Sequence, residues 1–260
     1  MLTTLRQRRT PALRTCFHLA LFLAAGCVSP TLSPSTEERA EIAPELSPFE
    51  GWREAPRVSF EQALKAWNPS LSQHRLKPED QVGLSIALSG LDEAAMRAAL
   101  LLAHSRDPQA AKLLLARLED RIKGAERNSD GADVVAAASL AAWPEGGRYA
   151  SALSDLSIGE SPHPDLEVRV ECASAALARG RTETCGFLLR VLRAGTPAEE
   201  LELQDWTPKD TMAWAKSRSA TALSRHLGVP VRFRADASYQ DQLREIAAIE
   251  SLLGESASSK

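Results

Sequence analysis

Asp165-Leu166-Glu167-Val168-Arg169-Val170-Glu171-Cys172-Ala173-Ser174-Ala175-Ala176-Leu177, followed across Gly180 by Thr182-Glu183-Thr184-Cys185-Gly186-Phe187-Leu188-Leu189, is the stretch whose reading decides the fold. It reads as a helix from Pro164 through Leu177, a turn at Gly180, and a second helix from Thr182 ending by Gly195. A connection of so few residues sets two helices side by side and antiparallel. The apolar faces match across the turn. Val168, Cys172, Leu177, Leu188 and Leu192 are therefore expected to form one buried seam.

Working outward, the same pattern returns. Asp92 to His104 has acids at its start and an apolar face through Met96, Leu100 and Leu101. Asp107-Pro108 then restarts a helix, with the aspartate as cap and the proline at the first helical position, and the run continues through Leu113, Leu114 and Leu118. Another pair spans Val134–Ala142 and Arg148–Leu156. Alanine and leucine dominate the apolar residues, aromatics make up only 5% of the chain, and β-branched alternation is nearly absent. That composition favours helices over sheets.

The hairpins resemble one another. Met96-Arg97-x-x-Leu100-Leu101 aligns with Val168-Arg169-x-x-Cys172-Ala173 and, more loosely, with Val134-Val135-x-x-Ala138-Ser139. Leu113-Leu114 and Leu188-Leu189 follow on the second helices. Asp-x-x-Val-Arg-x-x-Ala-Ala-x-x-Leu with a leucine-rich second helix resembles the HEAT or HEAT-like (phycobilisome-lyase type) repeat over about residues 78–195. The resemblance implies an all-α fold, a short α-solenoid of antiparallel hairpins occupying 52–195.

After Gly195 the repeat pattern stops. Thr207-Pro208-Lys209-Asp210 carries a hydroxyl cap, a proline and an acid in helix-start order, and Gly228 and Pro230 predict a stop after Leu227. Ser238-Tyr239-Gln240-Asp241 opens a last helix whose Leu243, Ile246, Ile249 and Leu253 form one stripe. Residues 196–254 are expected to cap the open end of the solenoid, with a disordered tail at 255–260.

The amino-terminal end addresses location. Arg6, Arg8, Arg9 and Arg14 precede the apolar run Phe17–Phe22 and then Leu23-Ala24-Ala25-Gly26-Cys27, a basic-apolar-small layout typical of a secretory signal. The small-small-Cys ending resembles the lipobox of bacterial lipoproteins, with Ala24 departing from the commoner leucine. That resemblance implies cleavage of residues 1–26, a diacylglyceryl chain on the Cys27 sulfur, and acylation of the new amino terminus. Val28, rather than aspartate, implies the periplasmic leaflet of the outer membrane. Residues 27–51, rich in Pro and Ser with little apolar mass, read as a disordered tether. Cleavage would take four positive charges from a chain of net −3 and leave −7. So acidic a protein is a poor partner for nucleic acid.

No motif for catalysis emerges. His-Glu-x-x-His, Gly-x-Ser-x-Gly, phosphate-loop and Gly-x-Gly-x-x-Gly patterns are all absent from the sequence, and no metal or cofactor is expected. Cys172 and Cys185 fall on apolar sides of adjoining helices, either as a disulfide or as reduced core residues. Lys209, Lys216, Arg218, Arg225, Arg232 and Arg234 face a single acid, Asp210, with Trp206, Trp214 and Phe233 nearby. This stretch reads either as a surface for an anionic partner or as a solvated helix face over packed aromatics. Arg218 and Arg225 lie two turns apart and share a face. The expected function is a non-enzymatic envelope scaffold for a protein or peptide partner. The alternative is an envelope enzyme, or an enzyme accessory, with a site in the C-terminal helices.

Overall fold

The computed structural model describes residues 52, 64, 71, 75–90, 93–105, 107–123, 131–143, 146–196 and 208–258. Residues 1–26, expected as a signal, Cys27, the expected tether at 27–51 and Trp206 lie outside them. Among the described residues nine α-helices follow in order: α1 (Pro78–Leu88), α2 (Glu93–His104), α3 (Pro108–Lys123), α4 (Gly131–Ala142), α5 (Ala150–Ile158), α6 (Leu166–Leu177), α7 (Cys185–Arg193), α8 (Pro208–Leu227) and α9 (Tyr239–Ser258). Among the described residues there is no strand, and no helix is long and apolar enough to cross a membrane.

Local chemistry sets the ends. Asp107 Oδ1 accepts from Gln109 N–H at 2.8 Å, and Asp165 Oδ1 accepts from Glu167 and Val168 N–H at 2.8 and 3.2 Å. Each carboxylate satisfies amides that have no partner inside the helix. Two stops need glycine. Gly180 (φ +85°) and Gly228 (φ +69°) hold left-handed backbone that a side chain would strain.

The helices form a two-layered α-solenoid. In one layer α2, α4, α6 and α8 stack each on the next; α3, α5, α7 and α9 pack behind them. The C-terminal pair continues the stack, because α8 sits on α6 as α6 sits on α4, with α7 against it. The sequence departs from the repeat there, yet the packing geometry does not. α9 also runs to Ser258, so the helix enters the stretch expected as a disordered tail.

Central helix α6 explains why the core is continuous. It is buried nearly all round and serves two apolar clusters. Val168, Cys172, Ala175 and Ala176 join the cluster built by α1–α5, whereas Val170, Ala173 and Leu177 join Phe187, Leu188, Val191 and Leu192 of α7 with residues of α8 and α9. This corrects the single seam expected from the sequence. All five of its residues are buried, but Val168 and Cys172 face away from Leu188 and Leu192. The same rotation separates the two cysteines, which are free thiols and not a disulfide. Cys185 packs against the second cluster. Burial, with the Glu171 charge beside it, pushes the Cys172 thiol well above its ordinary value and leaves it inert.

Arginines bind the layers through backbone carbonyls. Arg97 of α2 donates to the Trp52 carbonyl at 3.0 Å, and its sequence counterpart Arg169 of α6 donates to the Ser157 carbonyl at 2.9 Å. Both donate to a backbone carbonyl earlier in the chain, Arg97 across 45 residues and Arg169 across 12, to the adjacent α5. Arg117 of α3 pairs with Asp133 of α4 and also donates to the carbonyls of Leu88 and Gly90 at the end of α1.

Candidate functional site: a cation-lined groove

An open groove of about 720 Å³ crosses the carboxyl-terminal ends of α4, α6 and α8. Its floor is built from small side chains, among them Ala138 and Ala141 of α4, Ala175 of α6 and Ala222 of α8. Alanines at these positions let three helices approach one another and leave an open channel beside them. Arg179, Arg218, Arg225 and His226 line it, and no acidic side chain appears among its described lining residues.

The four basic groups differ in how they are held. Arg179, at the turn after α6, donates to the Ala175 carbonyl at 3.1 Å, to the Trp143 carbonyl at 3.3 Å and to the Ala141 carbonyl. It satisfies carbonyls left open at helix ends and meets their negative dipoles. Arg218 pairs with Glu171 of α6: Nη2 donates to Oε2 at 2.8 Å, and Nε lies 2.8 Å from Oε1 as an ion-pair contact. Both of these side chains are largely buried, so the pair is a strut between α6 and α8 and carries no spare charge. Arg225 is exposed and has no hydrogen-bond or ion-pair partner among the described residues. Half-buried His226 lies beside it in the last turn of α8.

The remaining residues expected to face a partner go elsewhere. Lys216 is fully buried, donating to Gln242 Oε1 at 2.8 Å and Thr196 Oγ1 at 3.3 Å. Gln242 in turn donates to the carbonyls of Ala235 and Ala237, so the lysine fastens α8 to the start of α9 and to the segment after α7. This places Lys216 inside the fold and not on a positive strip. Arg234 pairs with Asp236 at 2.8 Å, exposed Arg232 does not line the groove, and Trp214 packs against the second apolar cluster. Arg218 and Arg225 do share one face, as their spacing predicts. Sequence reasoning missed Arg179 and Glu171. A basic residue directly before the glycine stop was the available signal for the first, and the partnership of Glu171 with a residue 47 positions away had none.

Lys216 has a measurable signature. Burial pushes its ammonium below the ordinary lysine value of 10.5. Between the lowered folded value and 10.5 the unfolded chain binds more protons than the native one, so stability rises with pH through that window. The difference in urea-melt stability between the native protein and Lys216→Met, followed over the alkaline range up to 10.5, is expected to isolate that rise. Identical slopes in the two proteins would show that Lys216 contributes no such linkage.

The chain matches no protein-family model, no curated protein and no solved structure. Among the described residues no group of three His, Cys, Asp or Glu side chains is placed to hold a metal ion. His163, which the sequence leaves unassigned, is buried at the entry to α6, where its Nδ1 accepts from Asp165 N–H at 3.2 Å.

Proposed function

We propose that this protein is a lipid-anchored scaffold of the bacterial cell envelope, held by Cys27 at the periplasmic face of the outer membrane, that binds a protein or peptide partner without catalysis. The groove across α4, α6 and α8 carries this reading. It is open, has small side chains among its lining residues, and is built from three consecutive helices of one layer. Stacked helical pairs characteristically present such extended surfaces to polypeptides. The lipobox resemblance at Leu23–Cys27 supplies the anchor, and the 27–51 segment supplies reach.

Two measurements test it. Cys27→Ser is expected to move the protein almost completely out of the membrane fraction, or to leave a larger unprocessed precursor. Unchanged membrane recovery and unchanged size would remove the anchor from the proposal. A photo-crosslinking residue at Ala222, in the groove, is expected to capture one partner in stoichiometric yield in the native envelope. The same residue at exposed Arg190 on α7 is expected to capture none. Equal labelling from both positions, or none from either, would overturn the groove as the binding face.

A further inference from the structure

Resting on the groove as the binding face, the geometry points to its occupant: we infer that it takes an extended, acidic segment of a polypeptide, with Arg225 as the anchor for a carboxylate. Charge complementarity is the first argument. Basic side chains line the groove, no acidic one does so among the described residues, and of the three arginines only Arg225 lacks a partner there. Arg179 is committed to backbone carbonyls and Arg218 to Glu171, which fixes the walls and leaves Arg225 to meet an incoming anion. A guanidinium is suited to that role because its two parallel N–H groups match both oxygens of a carboxylate.

Size is the second argument. Neighbouring helices lie about 8–10 Å apart, so three span about 16–20 Å. At about 3.3 Å per residue an extended peptide of five or six residues crosses that distance. The alanines among its lining residues leave room for the backbone and small side chains of such a strand. Long polyanions fit poorly, because the processed chain as a whole would carry −7 and repel them, whereas a short acidic segment needs only the local charge.

The test uses the full lipidated protein in a neutral detergent and a fluorescein-labelled hexaglutamate peptide, with hexaglutamine and hexalysine as comparators. Hexaglutamate is expected to bind, at least tenfold more tightly than either comparator, and to weaken with added salt. Arg225→Glu and the milder Arg225→Gln are expected to weaken it at least tenfold and about fivefold, with unchanged thermal melts. Arg232→Glu, the same charge change outside the groove, is expected to stay within twofold. Equal losses from Arg225→Glu and Arg232→Glu would overturn the inference by showing unspecific attraction. Equal binding of hexaglutamine would overturn it too, while leaving the scaffold reading standing if the Ala222 crosslink still finds its partner. Arg225-dependent binding to vesicles of anionic phosphatidylglycerol, without binding to hexaglutamate, would replace the peptide with a lipid surface.

Discussion

Asp133→Ala is expected to destabilise the solenoid by about 3–5 kcal/mol, read as a lower urea midpoint with the slope unchanged. Asp133 on α4 is fully buried and its Oδ1 lies 2.6 Å from Arg117 Nε; the side chains are 1% and 3% exposed. Arg117 cannot swing into water when its partner goes, because it is also bonded to the carbonyls of Leu88 and Gly90. The substitution therefore takes a buried counter-charge from a guanidinium that is held in place, and that loss of compensation dominates the cost. Asp133→Asn keeps an acceptor and is expected to lose less, about 1–3 kcal/mol. The double change Arg117→Met with Asp133→Leu should lose less than Asp133→Ala alone, since it leaves neither charge of the pair buried, and what it does lose reflects the carbonyls of Leu88 and Gly90 deprived of their donor. A loss below about 1 kcal/mol for Asp133→Ala would show that water reaches the site.

Leu188→Ala is expected to remove about 2–5 kcal/mol. Leu188 is 0% exposed in the cluster that joins α6, α7, α8 and α9. Alanine there forfeits the transfer term and leaves a cavity that close-packed neighbours refill only in part. Leu189, next in sequence, is only partly buried against the same cluster, and Leu189→Ala is expected to lose clearly less. Equal losses at the two positions would mean that α7 is rotated from the orientation described. Loss below about 0.5 kcal/mol at Leu188 would place it on the surface.

Much of the helix plan is legible in the sequence. Pro208 to Leu227 follows from a proline at one end and Gly228 at the other, and the Gly180 turn follows from the glycine between two apolar runs. The candidate site was legible only in part. Arg218 and Arg225 share a groove as their two-turn spacing requires, but the same run of positive charge placed Lys216 beside them, and Lys216 is inside. On a periodic face a lysine and an arginine look alike, and the packing partner alone distinguishes them. Gln242 and Thr196 came from segments 26 and 20 residues away.

What the sequence by itself determined was most of the helices from Asp92 onward, several of their starts and stops, and the short turn that joins α6 to α7. Those features rest on interactions within one or two turns: a carboxylate on an amide two residues on, a glycine free to take positive φ, an alanine-rich run with little entropy to lose. The tertiary structure alone decided which way each face turned. α6 carries apolar residues on more than one side, so nothing local told Cys172 to look toward α4 and α5 while Ala173 looked toward α7 and α8. Helix stacking settled that orientation, and with it the separation of the cysteines, the pairing of Glu171 with Arg218, and the groove that leaves Arg225 exposed.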